Sequence, residues 1–140
     1  MPGCPFCKIV RMELPAYRVY EDLSFFAFLD IRPLNPGHTL VVPKKHYRWV
    51  WDVPETGEYF ETVKNIVKGL QRSMKAEWVV ADIAGTGVAH AHVHLIPRFA
   101  GDGHGEFVDP KNTKQIPAER MKTIAEDIRK SLGAPSERTA

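Results

Sequence analysis

The run His90-Ala91-His92-Val93-His94-Leu95-Ile96 alternates imidazole with apolar side chains. Alternation with a period of two is the pattern of a β-strand, whose successive side chains point to opposite faces. It predicts a strand over 91–96, with His90, His92 and His94 projecting to one side and Ala91, Val93 and Leu95 to the other. The rise of a strand separates alternate residues by roughly 6–7 Å and the outer pair by roughly 13 Å. A metal holds its histidine ligands within ~2.1 Å, so His90 and His94 cannot readily share one ion. The outer histidines therefore have different tasks.

Working outward, Trp78-Val79-Val80-Ala81 reads as a second strand, joined to the first by the glycine turn Ala84-Gly85-Thr86-Gly87. Before it, Tyr59, Phe60, Val63, Ile66, Val67, Leu70 and Met74 recur at intervals of three and four, which predicts one long helix over 55–74. Three further strands precede that helix. Residues 17–21 and 25–29 form a hairpin about Asp22-Leu23-Ser24, and 39–42 lies between the turn Asn35-Pro36-Gly37 and Pro43. A C-terminal helix follows Pro117, with the stripe Met121, Ile124, Ala125, Ile128 and Leu132 and a stop at Gly133. Strands clustered in hairpins, with few and unalternated helices, predict an α+β fold built on an antiparallel sheet of about five strands.

A length of 140 residues fits one domain and is too short for two well-packed ones. We expect a single domain over 1–133 and a flexible C-terminal tail over 134–140. Hydrophobic and charged fractions of 44% and 26% exclude a disordered or fibrous chain. A net charge of +2, with Lys and Arg dispersed, argues against a nucleic-acid partner and leaves room for one small anionic ligand. The N-terminus lacks a basic region followed by an apolar run, and no stretch approaches ~18 apolar residues. The expected compartment is the cytoplasm, with no membrane partner.

The two cysteines, Cys4 and Cys7, are spaced C-x-x-C. A redox pair of the thioredoxin kind would follow a strand inside a βαβ unit, and nothing precedes this pair. Half a zinc site or two free thiols remain. For the histidines, neutral imidazole is a competent nucleophile toward phosphorus near neutral pH, because its unperturbed pKa is about 6.5. A competing reading makes His90 and His92 joint ligands of a catalytic metal.

The chain resembles the histidine-triad (HIT) superfamily, whose signature His-φ-His-φ-His-φ-φ (φ apolar) is matched from His90 to Ile96. The likeness extends to Phe25-Phe26-Ala27-Phe28-Leu29-Asp30-Ile31, to the stretch Pro36-Gly37-His38-Thr39 continuing through Lys44-Lys45-His46, and to Pro97-Arg98. It is strongest to the small nucleotide-binding branch, which implies an α+β domain that pairs into a homodimer with a continuous sheet. By that resemblance His92 attacks the α-phosphorus of a nucleotide conjugate, forming a nucleotidyl-histidine that water resolves. His94 and His38 complete the phosphate site, and His rather than Gln at position 94 implies hydrolysis over transfer. Asp30 would hold ribose hydroxyls, while Phe6, Ile9, Leu29 and Ile31 would line a purine pocket. The opening Cys4-Pro5-Phe6-Cys7-Lys8-Ile9-Val10 implies a structural zinc bound by Cys4, Cys7, His46 and His90.

One segment departs from the pattern. Relatives carry Gly-Gln-[Ser/Thr]-Val before the triad, whereas this chain has Gly85-Thr86-Gly87-Val88. Thr86 or the backbone amides of the glycine turn, at Gly87 and Val88, would take over the phosphate contacts. The expected function is hydrolysis at the α-phosphate of a nucleoside phosphoramidate, a nucleotidyl anhydride or a dinucleoside polyphosphate. The alternative is a nucleotide-binding regulatory module with little turnover. His104 lies in the glycine-rich loop 101–105, which either covers the site or is a mobile segment, the second reading being favoured.

Overall fold

Phe25-Phe26-Ala27-Phe28-Leu29 is buried at every position and forms β2 of the computed structural model, which describes residues 3–133. The expected tail over 134–140 lies outside the described residues. Strand alternation sorts this run between two apolar clusters. Phe25, Ala27 and Leu29 join one, and Phe26 and Phe28 join the other. β3 (Thr39–Pro43) repeats the division, with Val41 in the first cluster and Leu40 and Val42 in the second. Both strands are thus interior, covered on two faces.

Around them run β1 (Arg18–Glu21), β4 (Trp78–Asp82) and β5 (Val93–Arg98), in the spatial order β1-β2-β3-β5-β4. Every neighbouring pair is antiparallel, so this is the α+β architecture expected. Two long helices, α2 (Thr56–Met74) and α3 (Ala118–Leu132), cover the face of the first cluster. Ile66 and Leu70 of α2 and Ile124 and Ile128 of α3 are almost wholly buried there, each side chain worth roughly 1.5–3 kcal/mol of hydrophobic transfer. Tyr59 stacks on Phe25 and donates its hydroxyl to Val41 O at 2.6 Å, fastening α2 to the sheet. No described helix is long and apolar enough to cross a membrane.

Over the second cluster lies only a short helix, α1 (Pro5–Val10), which the sequence reading did not anticipate. Six residues are too few to show a helical period. Its cap is a thiol rather than a hydroxyl: Cys4 Sγ accepts from Cys7 N at 3.3 Å, with Pro5 at the first helical position.

Two other expectations change. The strand predicted over 91–96 begins at Val93, so His90 and His92 precede it, and the link from β4 spans residues 83–92 rather than a tight turn. Paired alternation needs a neighbouring strand, and the β3 ladder reaches only from Thr39↔Leu95 to Val41↔Val93. The loop carrying His104 is fastened, not free. His104 Nε2 donates to Leu34 O at 2.8 Å, and Asp109 N donates to its Nδ1 at 3.0 Å. The same loop is clamped by the buried pair Arg98–Asp102 at 2.8 Å, whose guanidinium holds the Asp102 carboxyl far below the usual carboxylate range.

Candidate active site

His94 is the one triad histidine on a strand. It lies opposite Leu40 of β3 and Asp82 of β4, so pleating aims it at the α1 face together with Phe28 and Leu40. His38 arrives just before β3, out of a turn at Gly37 (φ +88°). A β-carbon at Gly37 would sit 3.0 Å from Met74 and carry a disfavoured φ, so glycine is what allows the chain to present His38 here.

Hydrogen bonds assign the tautomers of these rings. Leu34 N donates to His38 Nδ1 at 3.0 Å, which leaves the proton of neutral His38 on Nε2. That Nε2 lies 2.9 Å from His94 Nδ1 and 3.6 Å from Asp30 Oδ2. His94 therefore accepts on Nδ1 and carries its own proton on Nε2. His92 is set oppositely. Its Nδ1 must donate to the carbonyl oxygen of His90, 2.7 Å away, so Nε2 keeps the lone pair. One ring thus presents a nucleophilic nitrogen and its neighbour, with ring centres 5.0 Å apart, presents a donor.

Burial, reinforced by His94, pushes His38 down to about 3, and burial also lowers His94. The unfolded chain consequently takes up the His38 proton first, near its ordinary value of about 6.5. Stability should then fall as pH drops from ~6.5 toward 3, by up to about 1.4 kcal/mol per pH unit from this residue. Urea midpoints of wild type and His38→Asn across that window check it. Equal slopes for the two proteins would refute the assignment.

A cavity of about 520 Å³ opens beside His92 and His94. Phe6 and Ile9 of α1 form one wall, Leu29, Asp30 and Ile31 another, and Gly87 and Val88 lie along the rim. Phe6 meets the His92 ring edge to face at 5.2 Å. Asp30 also caps its own turn, its Oδ1 accepting from Arg32 N at 2.9 Å. Ile31 borders the cavity yet is 76% exposed, a rim residue rather than core. Thr86 is exposed and does not line the cavity, so of the residues expected to replace the missing donors only Gly87 and Val88 border it. His38 borders an adjoining cavity of about 360 Å³, shared with Asp30, Arg32, Asp82 and His94. Sequence reading missed Pro5, Leu14, Ala16 and Phe28 as lining residues, because apolar side chains give no chemical signal of facing a cavity rather than a core.

Cys4, Cys7, His46 and His90 converge separately on the far side of α1. His90 Nδ1 lies 3.3 Å from Cys4 Sγ, 3.5 Å from Cys7 Sγ and 3.1 Å from His46 Nδ1. A tetrahedral ion with bonds of about 2.3 Å to sulfur and about 2.05 Å to nitrogen needs ligand separations close to these. His90 Nε2 is 2.8 Å from Pro43 O and donates to it, turning the unprotonated Nδ1 into the cluster. Burial pushes the Cys7 thiol up, so keeping it as a thiolate there requires a cation. The residues fit a metal with every ligand position filled by protein. His92 is outside this cluster, which takes His90 without it.

Comparison with known proteins places the chain in a family. Residues 11–101 match the family model for the HIT domain. A HIT-like protein of Methanocaldococcus jannaschii is 45% identical over 116 residues, 78% of this chain and 90% of that protein. An adenosine 5'-monophosphoramidase of Saccharomyces cerevisiae is 37% identical over 101 residues, 69% of this chain and 63% of the yeast protein. In structure, a zinc-bound histidine triad family protein of Mycobacterium smegmatis aligns with a TM-score of 0.73 at 32% identity, covering 94% of each chain. The chain belongs to the HIT family.

Proposed function

We propose that this protein hydrolyses a purine nucleotide conjugate at its α-phosphate, a nucleoside phosphoramidate being the first substrate to test, with His92 as nucleophile. The observation that carries the reading is the His92 tautomer. Donation from Nδ1 to His90 O leaves the Nε2 lone pair unspent in a ring bordering an apolar cavity large enough for a mononucleotide. Nε2 attacks phosphorus, the bond to the leaving group breaks, and the leaving amine takes a proton from water. His94 donates from Nε2 to a phosphate oxygen, held in that tautomer by His38. Water then attacks phosphorus, the bond to His92 breaks, and nucleoside monophosphate departs. Asp30 accepts from the ribose hydroxyls, and Phe6, Ile9, Leu29 and Ile31 enclose the base. Nucleotidyl anhydrides and dinucleoside polyphosphates fit the same chemistry with a different leaving group. The yeast phosphoramidase named above supports this substrate class for a relative.

Zinc held by Cys4, Cys7, His46 and His90 would supply a structural anchor, with no position left open for catalysis. We take 1–133 as one domain acting in the cytoplasm, and as a homodimer whose sheet continues across β4, the edge strand next to β5. Exposed Thr86 favours a second reading, a nucleotide-binding regulator with little turnover, because the loop offers no side-chain donor at the cavity.

Rapid mixing with adenosine 5'-phosphoramidate, an alkaline quench and peptide mass spectrometry distinguishes the two. A nucleotidyl group on the peptide containing His92, with product released over time, is expected. Tight binding without adduct or product would establish the regulator instead.

A further inference from the structure

Residues 83–92 pass along the cavity and into the triad without regular secondary structure, so no ladder holds them. Their grip comes from the segment after β3. His46 meets His90 in the metal cluster, and Tyr47 O accepts from Ala91 N at 2.7 Å. Arg48 Nη1 donates to Gly85 O at 2.8 Å, while its guanidinium carbon lies 3.7 Å from the centre of the Trp49 ring. Gly85 (φ +79°) rests against that same ring, where an added β-carbon would stand only 3.0 Å from it. Arg48, Trp49 and Gly85 form one clamp.

What the clamp holds is unusual in its chemistry. Among the described residues, the backbone N–H groups of Gly87 and Val88 donate to no protein acceptor, and within 83–88 no side-chain donor borders the cavity. Any contact from this loop to an anion must come from those amides, whose usefulness depends on placement. The Gly85 carbonyl lies just before the two residues, Gly87 and Val88, that border the cavity, so the guanidinium bonded to it fixes the backbone that carries their amides.

We propose that Arg48 is a positioning residue for the reaction. Through Gly85 O, and with Trp49 as its floor, it holds the Gly87 and Val88 amides at the phosphate without touching substrate. The proposal rests on the nucleotide reading above. It adds a residue whose role does not follow from the triad, and it explains how a loop whose Thr86 side chain does not border the cavity serves a phosphate.

Arg48→Met and Arg48→Lys, compared with wild type, test it. Adenosine 5'-phosphoramidate turnover, AMP affinity by calorimetry and the melting temperature are the readouts. Arg48→Met keeps packing on Trp49 but loses the donor. It should lower kcat by roughly 10- to 100-fold, more than it weakens AMP binding, while melting within about 3 °C of wild type. Arg48→Lys, which restores a charged donor, should recover most of the loss. Full activity in Arg48→Met, or failure of Arg48→Lys to restore any, overturns the role of Arg48 while leaving the nucleotide reading intact. A wild type that neither binds AMP nor turns over the phosphoramidate overturns that reading and, with it, this role.

Discussion

His92→Asn should lower turnover by on the order of 10³-fold or more while leaving the fold intact. The asparagine amide can donate to His90 O as Nδ1 does now, at 2.7 Å, so the local backbone keeps its partner. What disappears is the second ring nitrogen and its lone pair. Without it phosphorus meets no nucleophile but water, and the oriented donors on His94 and the loop stabilise only a slower direct attack. AMP affinity should change by no more than a few-fold, since Phe6, Ile9, Leu29 and Asp30 still line the cavity. Steady-state kinetics, calorimetry and thermal melting on one preparation check all three statements. Equal turnover in wild type and variant would remove His92 from the mechanism, and turnover absent from both with AMP still bound would favour the regulatory reading.

Removing the metal from zinc-loaded protein should have the second largest effect. α1 has six residues, well below the length at which a helix sustains itself in water, and Cys4 and Cys7 are its ties to His46 and His90. A structural ion of this kind contributes several kcal/mol to folding. At ~3 °C per kcal/mol for a chain of this size, a fall of about 10 °C in melting temperature is expected on chelation or in Cys4→Ala. Nucleotide affinity should fall by roughly tenfold at temperatures where the sheet is still folded, because Phe6 and Ile9 leave the cavity wall with α1. Unchanged melting after metal is shown to be gone would contradict a structural cluster. Activity lost with both melting and AMP affinity preserved would instead reassign the metal to catalysis.

Much of the fold could be read from pattern. The α2 stripe and the α3 stripe run long enough for their periods to be unmistakable, and β2 and β3 are dense apolar runs between turn residues. Failures occurred where tertiary partners decide the local structure. Alternation in His90 to Ile96 looked like one strand, yet only Val93 onward finds a ladder, and His90 and His92 are instead held by Pro43 O, the cluster and each other. α1 is invisible to periodicity because its stability comes from contacts its own six residues do not encode. For the site, strand spacing separated His90 from His94, resemblance separated it from His92, and the cluster of Cys4, Cys7, His46 and His90 is where the four side chains meet. Thr86 was expected at the phosphate as a polar residue in the right loop, but the backbone turns it outward. Arg48 and Trp49 had no motif to mark them, since a bond from a side chain to a distant carbonyl leaves no trace in local sequence.

The double duty of α1 bears on how such a pocket can diversify. One side of the helix supplies ligands to a cluster and the other supplies Phe6 and Ile9 to the cavity. The cavity wall that Phe6 and Ile9 form is hung from the cluster and takes no part in the sheet's hydrogen-bond ladder. Exchanging Ile9, which is only partly buried, would reshape the pocket while Cys4, Cys7 and the strands keep their contacts. On the proposed nucleotide reading, base preference can therefore drift at Ile9, whereas Phe6, buried and edge to face with His92, ties the shape of the pocket to the triad.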